Sequence, residues 1–167
     1  MTELTTIGVY GFTATTFIAA LLGADVRLVL DVRQRRAVRG SEYAWANAKR
    51  LEAALAQAGI GYRREPSLAP TTRLRELQYR EDDRTGVGKR SRGMLAPAFV
   101  ERYTAEILDR ADLDAIVLAL PPDGRCALLC VERDPPACHR SLAAQRIADR
   151  FGLPLSHLAP ERVAPPD

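Results

Sequence analysis

Short apolar runs alternate along the chain with longer stretches in which apolar residues recur every three or four positions. The short runs predict five β-strands, at residues 4–10, 26–32, 60–64, 127–131 and 155–158. The periodic stretches predict helices, at residues 13–22, 42–58, 74–79, 97–107, 112–120 and 142–151. Because strands and helices alternate, the pattern favours an α/β fold, a three-layer α/β/α sandwich around a mostly parallel, Rossmann-like sheet. The 167 residues suit a single domain, ending in a frayed tail at residues 164–167.

Three of the predicted strands end in residues that carry chemistry: Tyr10 with Gly11, residues 31–33, and residues 130–134. The carboxyl ends of parallel strands meet at one edge of an open sheet, where ligands bind. We therefore expect these strand ends to converge on one site. Tyr10, Asp31 and Arg33 are candidate ligand-binding residues there, and Asp31 is also expected to pair with Arg33 and hold it in place.

The start of the helix after the strand at residues 127–131 is the strongest candidate for a reactive site. A turn with two prolines leads directly into Cys138, His139 and Arg140. The pKa of a thiol is lowered at a helix N-terminus, and the free backbone N–H groups there bind anions. We assign catalytic roles to Cys138 and His139 and ligand binding to Arg140 and Ser141. The alternative is a buried structural cysteine with a capping histidine and a surface arginine.

For two further residues at this strand end the sequence allows either a functional or a structural role. Glu132 is a candidate catalytic residue, as a general base or a partner for a ribose hydroxyl, unless it belongs to a lattice of ion pairs at the sheet edge. Cys130 is either a small core residue or, as a ligand-binding candidate, a redox partner for Cys138. Cys126 is expected in the core. Zinc is not predicted, because the spacing of the cysteines and histidines matches no familiar zinc pattern, and no cofactor is assigned.

Arginine supplies nearly all of the positive charge, and the formal net charge is +3. Two basic runs stand out, at residues 33–39 and 84–92, the second within an expected flexible insertion around residues 80–95. These runs either form solvated loops or border a groove for a polyanion. The candidate nucleic-acid-binding residues are Arg35, Arg36, Arg84, Lys89, Arg90 and Arg92.

The motifs at the strand ends also resemble those of a known family, the domain of unknown function 488. Members of that family carry a TIG strand end, a DVR strand end and an LLC-x-E-x-D-P…CHR helix start. The corresponding residues here are 6–8, 31–33 and 129–140, and the final strand with His157 is also similar. One departure is that Val9 and Tyr10 replace the family's usual His-Ser. The resemblance implies an α/β fold and a loose association with nucleic acids or DNA repair.

Three functional hypotheses follow. The first is an enzyme acting on a phosphorylated nucleotide or nucleic acid at the carboxyl edge of the sheet. The second is a non-catalytic nucleotide- or nucleic-acid-binding module, such as a DNA-repair accessory protein. The third is a thiol redox or metal-binding protein. The three cysteines and the absence of a signal peptide favour a cytoplasmic protein, and no membrane partner is expected.

Overall fold

A computed structural model describes residues 1–161, and the predicted tail at residues 164–167 lies outside this part of the chain. Five strands form one parallel sheet in the order β3-β2-β4-β1-β5. They are β1 (Thr2–Gly8), β2 (Val26–Asp31), β3 (Gly61–Arg64), β4 (Gly124–Cys130) and β5 (Leu155–Leu158). The predicted α/β fold with a Rossmann-like sheet is therefore confirmed.

The helices cover both faces of this sheet. They are α1 (Ala14–Gly23), α2 (Ala48–Gln57), α3 (Thr72–Thr85), α4 (Pro97–Tyr103), α5 (Leu113–Leu118) and α6 (His139–Phe151). Helix α6 packs on β1, β4 and β5 and contacts α4, which in turn contacts α3. Helix α1 contacts β2 and α2 contacts β3. Right-handed crossovers put α1 and α2 on the opposite face from α6, because their connections run toward the other edge of the sheet.

Local capping signals set several of these boundaries. Thr13 accepts a hydrogen bond from the N–H of Thr16 and forms a capping box at the start of α1. Gly152 adopts a left-handed conformation at the end of α6, where only glycine avoids strain. No helix within residues 1–161 is long and apolar enough to cross a bilayer.

Two predicted helices differ from the structure. The expected continuous helix at residues 42–58 is wrong, because a 3-10 turn (Ser41–Ala46) is separated from α2 by Asn47. Asn47 is extended, and its side-chain carbonyl accepts a 2.7 Å hydrogen bond from the N–H of Val38. The helix predicted at residues 74–79 is longer than expected, since Thr71 caps α3 and Gly86 ends it in a left-handed conformation. Residues 80–85 of the expected insertion are therefore helical.

Strand β4 lies between β1 and β2, so the three strand ends singled out in the sequence do converge. The chain after β1 passes very close to the chain after β4, because the N–H groups of Val9 and Tyr10 both donate 3.0 Å hydrogen bonds to the carbonyl of Val131. Gly8 makes this approach possible. A Cβ atom on Gly8 would lie 1.9 Å from the carbonyl oxygen of Glu132.

The substitution Gly8→Ala should therefore destabilise the fold by displacing the backbone at Glu132. We expect the free energy of unfolding to fall by about 1–3 kcal/mol, the usual cost of overpacking. Gly23→Ala is the matched control, because nothing lies within 4 Å of a Cβ atom there, and a change below about 1 kcal/mol is expected. Chemical denaturation measures both. Equal stability of the two variants would contradict the close approach.

Candidate functional site

Two thiols and one imidazole lie together just beyond the carboxyl end of the central strand. Cys130 is the last residue of β4, Cys138 is the N-cap of α6, and His139 is its first residue. The Nδ1 atom of His139 lies 3.7 Å from the Sγ atom of Cys130 and 3.9 Å from that of Cys138. All three side chains are buried. We call these three residues the thiol–imidazole cluster.

Cys138 and His139 are adjacent in sequence yet reach the same point, because the backbone changes conformation between them. Cys138 is extended, with φ −138° and ψ 141°, whereas His139 begins the helix. The Nε2 atom of His139 lies 2.9 Å from the carbonyl oxygen of Val32. A carbonyl only accepts hydrogen bonds, so Nε2 carries a proton. In the neutral ring Nδ1 is then unprotonated and faces both sulfur atoms.

The two thiols of the cluster are driven toward different protonation states. Burial alone would raise the pKa of Cys138, but the neighbouring Cys130 and the positive charges of His139 and Arg140 outweigh burial and hold this pKa well below its ordinary value of 9.0. Burial and the proximity of Cys138 and Glu132 raise the pKa of Cys130 well above that value. The N-terminus of α6 also favours an anion at Cys138. The arrangement therefore favours a Cys138 thiolate beside a Cys130 thiol.

Two proton carriers lie next to this thiolate. Burial lowers the pKa of His139, but the charge of Cys138 and its hydrogen bond outweigh burial and raise the pKa above its ordinary value. Burial and the charge of Cys138 raise the pKa of Glu132, although Lys89 and Arg92 oppose this. The carboxylate oxygen Oε2 of Glu132 lies 3.6 Å from the Sγ atom of Cys130. Both groups can hold a proton at the site.

Glu132 is fixed in position by a buried chain of polar contacts. Its Oε1 atom accepts a 3.0 Å hydrogen bond from Arg92 and lies 3.9 Å from the Nζ atom of Lys89. Arg92 also donates to the Oδ2 atom of Asp82 at 2.5 Å and to the carbonyl of Ala137 at 3.2 Å. Because a buried charge is costly unless it is paired, this chain holds the Glu132 carboxylate at the site.

The three residues of the cluster line a small pocket of about 50 Å³, which we call the inner pocket. Glu132 lines it together with Gln78 and Tyr79 of α3 and with Arg92 of the following loop. This volume admits only a group of a few atoms. The inner pocket therefore suits the reacting part of a ligand rather than a whole ligand.

A larger outer cavity of about 580 Å³ adjoins the inner pocket and shares Arg35, Arg75, Tyr79, Lys89 and Val131 with it. Five cationic residues border it: Arg35, Arg39, Arg75, Lys89 and Arg90. Two tyrosines, Tyr10 and Tyr79, also line it, and none of its described lining residues is acidic. The outer cavity is therefore suited to an anionic ligand with an apolar or aromatic part.

Arg140 was expected to bind a ligand, but its guanidinium is committed to the protein. It is fully buried and donates to the backbone carbonyls of Glu132 at 2.5 Å and Arg133 at 3.1 Å. It thereby braces the turn that carries Glu132. Ser141 likewise donates a 2.8 Å hydrogen bond to the carbonyl of Cys138. Neither residue lines the inner pocket or the outer cavity.

Arg33 is also committed, although it borders the inner pocket. Its guanidinium donates to both carboxylate oxygens of Asp31, at 2.9 and 2.8 Å, and to the carbonyl of Ala46 at 2.8 Å. Asp31 accepts a further 2.6 Å hydrogen bond from the hydroxyl of Tyr62. The expected pairing of Asp31 with Arg33 is present, and both side chains are buried, so these contacts hold the Arg33 guanidinium in place beside the inner pocket.

The candidate nucleic-acid-binding residues are mostly neutralised by acidic neighbours. Arg36 pairs with Glu52, Arg84 with Glu81, and Arg90 with Glu42, while Arg92 is buried between Asp82 and Glu132. Arg35 and Arg39 make no ion pair within residues 1–161, and both border the outer cavity. These two unpaired arginines of the first basic run therefore border the outer cavity.

Helix α3 contributes residues that the sequence did not identify. Arg75, Gln78, Tyr79 and Asp82 recur at spacings of three and four residues and so share one helix face. Gln78 and Asp82 are buried and hydrogen-bonded to each other at 2.9 Å. The signal in the sequence is the spacing itself: polar residues three and four positions apart share one face of a helix that has few apolar residues. Arg75 hydrogen-bonds to Gln34 and to the Tyr79 hydroxyl, both at 2.7 Å.

The thiol–imidazole cluster is also the group of side chains best placed to hold a metal. The sulfur atoms of Cys130 and Cys138 and a ring nitrogen of His139 all lie within 4.8 Å of one another. Thiolate and imidazole are ligands that zinc prefers. His157 is not part of this group, because it lies on the edge strand β5 and its Nδ1 atom hydrogen-bonds to the Thr6 hydroxyl at 2.7 Å.

The substitution Arg140→Met should lower stability because it leaves the buried carbonyl of Glu132 and the partly buried carbonyl of Arg133 without this donor. We expect a loss of about 1–3 kcal/mol in the free energy of unfolding. Arg150→Met on the same helix is the control, since Arg150 is exposed and its contacts are a surface ion pair with Asp114 and a cation–π contact with Phe151. It should cost less than about 1 kcal/mol. Denaturation of both variants measures the difference. Equal losses would argue against the bracing role.

The thiolate at Cys138 should make this residue the most reactive cysteine. Burial raises the pKa of Cys126 to about 12, so Cys126 should resist alkylation in the folded protein. Iodoacetamide should label Cys138 first at about pH 6–8, where an ordinary thiol is mostly protonated. Mass spectrometry identifies the labelled residue, and the unfolded chain, in which all three thiols react, is the control. Equally slow labelling of Cys138 and Cys126 would contradict the thiolate.

Comparison with known proteins identifies one family. No curated protein and no solved structure shows significant similarity to the chain. A family described as Domain of unknown function DUF488 matches residues 13–147, which include α1, the cluster and most of α6. The chain belongs to this DUF488 family.

Proposed function

We propose that the protein is an enzyme that acts on a phosphorylated small molecule of the nucleotide class, with Cys138 as its nucleophile. One observation carries the proposal: the thiol–imidazole cluster lines the inner pocket, and this pocket adjoins the outer cavity with its five cationic residues. The reacting group occupies the inner pocket, and the rest of the substrate lies in the outer cavity. Such a division of roles is common in enzymes that bind charged substrates.

Each residue of the cluster has a role in this proposal. The Cys138 thiolate attacks the electrophilic centre of the substrate, so that a bond to sulfur forms while the bond to the leaving group breaks. Water then cleaves this covalent intermediate and frees the thiolate. His139 and Glu132 lie within reach of the thiol and the leaving group, and one of them donates the proton that the leaving group needs. Lys89 lies between Glu132 and the outer cavity, where its charge stabilises negative charge on the substrate.

The outer cavity supports a phosphorylated ligand more than an uncharged one. Arg35, Arg75 and Lys89 border both the inner pocket and the cavity, and guanidinium groups bind phosphate oxygens in pairs. Tyr79 and Tyr10 offer aromatic faces to a base. We therefore favour a nucleotide over inorganic phosphate.

A nucleic-acid polymer is a less suitable substrate, because Arg36, Arg84, Arg90 and Arg92 are already paired with acidic side chains. Binding of a polymer depends on many unpaired cations and weakens steeply with salt. The alternative hypothesis, a nucleic-acid-binding or DNA-repair accessory module, predicts salt-sensitive binding of a polymer without any turnover. A reduced Cys138 fits the expected cytoplasmic location.

Zinc binding is the second candidate, favoured by the mutual distances within the thiol–imidazole cluster. A bound zinc would occupy the Cys138 sulfur, so it competes with the nucleophilic role. Elemental analysis of the purified chain separates the two: we expect three free thiols and no stoichiometric zinc. One tightly bound zinc per chain would favour a metal centre over a nucleophilic role for Cys138.

Incubation of the full chain with a panel of mononucleotides tests the proposal, with mass spectrometry of products and calorimetry of binding. Cys138→Ser should lower turnover at least about a thousandfold while it leaves binding nearly intact, because the reacting atom is lost but the cavity is not. The double variant Arg35→Gln/Arg75→Gln should weaken binding at least about tenfold, or ~1.4 kcal/mol.

Arg84→Gln is the matched control for the lost charge, because Arg84 is exposed, pairs with Glu81 and lines neither cavity. Its binding and turnover should equal those of the wild type. Unchanged turnover in Cys138→Ser would remove the thiol from the mechanism. Salt-sensitive binding of a single-stranded oligonucleotide in place of mononucleotides would favour the accessory-module hypothesis.

A further inference from the structure

We propose that Cys138 and Cys130 are a peroxide-reactive pair that closes to an intramolecular disulfide. Their Sγ atoms lie within 4.8 Å of each other, and the Nδ1 atom of His139 contacts both. Both are free thiols in this structure. A disulfide brings the two sulfur atoms to about 2 Å from each other, so its formation requires the two side chains to move closer together.

The two thiols are suited to different steps. Cys138 begins α6, where the helix N-terminus and His139 favour the thiolate that attacks peroxides. Cys130 ends β4 and lies 3.6 Å from the Oε2 atom of Glu132, to which its thiol proton points. Cys138 is therefore the attacking residue and Cys130 the residue that resolves the first product.

The reaction balances with hydrogen peroxide as the oxidant. The Cys138 thiolate attacks one peroxide oxygen, so that an S–O bond forms and the O–O bond breaks. The hydroxide that leaves takes the proton that the cationic His139 ring carries on Nδ1 and becomes water. The product is a sulfenic acid at Cys138, an oxidation state that neighbouring thiols readily reduce.

Cys130 completes the second step. Its thiol passes a proton to Glu132, and the sulfur attacks the Cys138 sulfur, so that the S–S bond forms and the S–O bond breaks. The second hydroxide leaves as water with the proton held by Glu132. In total the Cys138 thiolate and the Cys130 thiol lose two electrons, His139 and Cys130 give up one proton each, and one peroxide becomes two waters. A dithiol reductant reverses the change by thiol–disulfide exchange.

The inner pocket favours a small oxidant. Its volume of about 50 Å³ takes a molecule of two oxygen atoms as a whole, whereas a peptide disulfide such as oxidised glutathione would have to lie in the outer cavity and reach the thiols from there. Cys126 is excluded from this chemistry, because it is fully buried in β4 and lines neither cavity. The pair therefore responds to small peroxides and spares the third thiol.

If Cys138 is the nucleophile of the proposed enzyme, the disulfide also switches that enzyme off reversibly. This consequence rests on the proposed function, whereas formation of the disulfide does not. The two can fail separately, because the disulfide is detected on the protein itself without any substrate.

Treatment of the reduced full-length chain with hydrogen peroxide, followed by alkylation and peptide mapping, tests the proposal. We expect a peptide that links Cys130 to Cys138, a free Cys126, and complete recovery of both thiols with dithiothreitol. Cys126→Ser should behave as the wild type. Cys130→Ser should instead accumulate sulfenic and then sulfinic acid at Cys138, because the resolving thiol is missing.

Three results would overturn the proposal: sulfinic acid at Cys138 beside a free Cys130 in the wild type, a disulfide that involves Cys126, or oxidation as fast with oxidised glutathione as with peroxide. The wild-type map needs no variant, so poor folding of Cys130→Ser leaves the test intact. If the disulfide forms but no nucleotide is turned over, the proposed function is rejected and the disulfide proposal stands.

Discussion

The pairing of buried charges at the carboxyl edge of the sheet is the constraint on which this site depends. Glu132, Arg92, Asp31, Arg33 and Arg140 are all buried, and each would be costly without a partner. The pairs are arranged so that Arg92 holds the Glu132 side chain, whereas Arg140 holds the backbone of the same residue. The loop after β4 is thus fixed from both sides, and with it the distance between Glu132 and the two thiols.

The same constraint explains why the sequence predicted the fold better than the ligand contacts. Apolar periodicity follows directly from burial, so the strands and most helices were predictable. An arginine has the same letter whether it binds phosphate or a backbone carbonyl. Arg33 and Arg140 therefore looked like ligand-binding residues, while their partners, the Asp31 carboxylate and the carbonyls of Glu132 and Arg133, become visible only when the chain is folded.

Helix α3 and the break at Asn47 show two further limits of prediction from sequence. Helix α3 is strongly polar, so its apolar periodicity is weak, yet it buries Gln78 and Asp82 against the loop that covers the site. Asn47 interrupts a well-formed helical pattern because its side chain is bonded to the backbone at Val38. In both cases a specific polar contact outweighs the average preference of the surrounding residues.

The cysteine pair illustrates how one site can combine reactivity with protection. The features that favour a thiolate at Cys138, namely His139 and the start of α6, also make it sensitive to oxidants. A second thiol held on the adjacent strand end limits that damage, because a disulfide is reversible and a sulfinic acid is not. Cys126 comes four residues before Cys130 on the same strand, but it lines neither cavity. Position at the carboxyl edge of the sheet, rather than the presence of a thiol, is therefore what distinguishes the reactive pair.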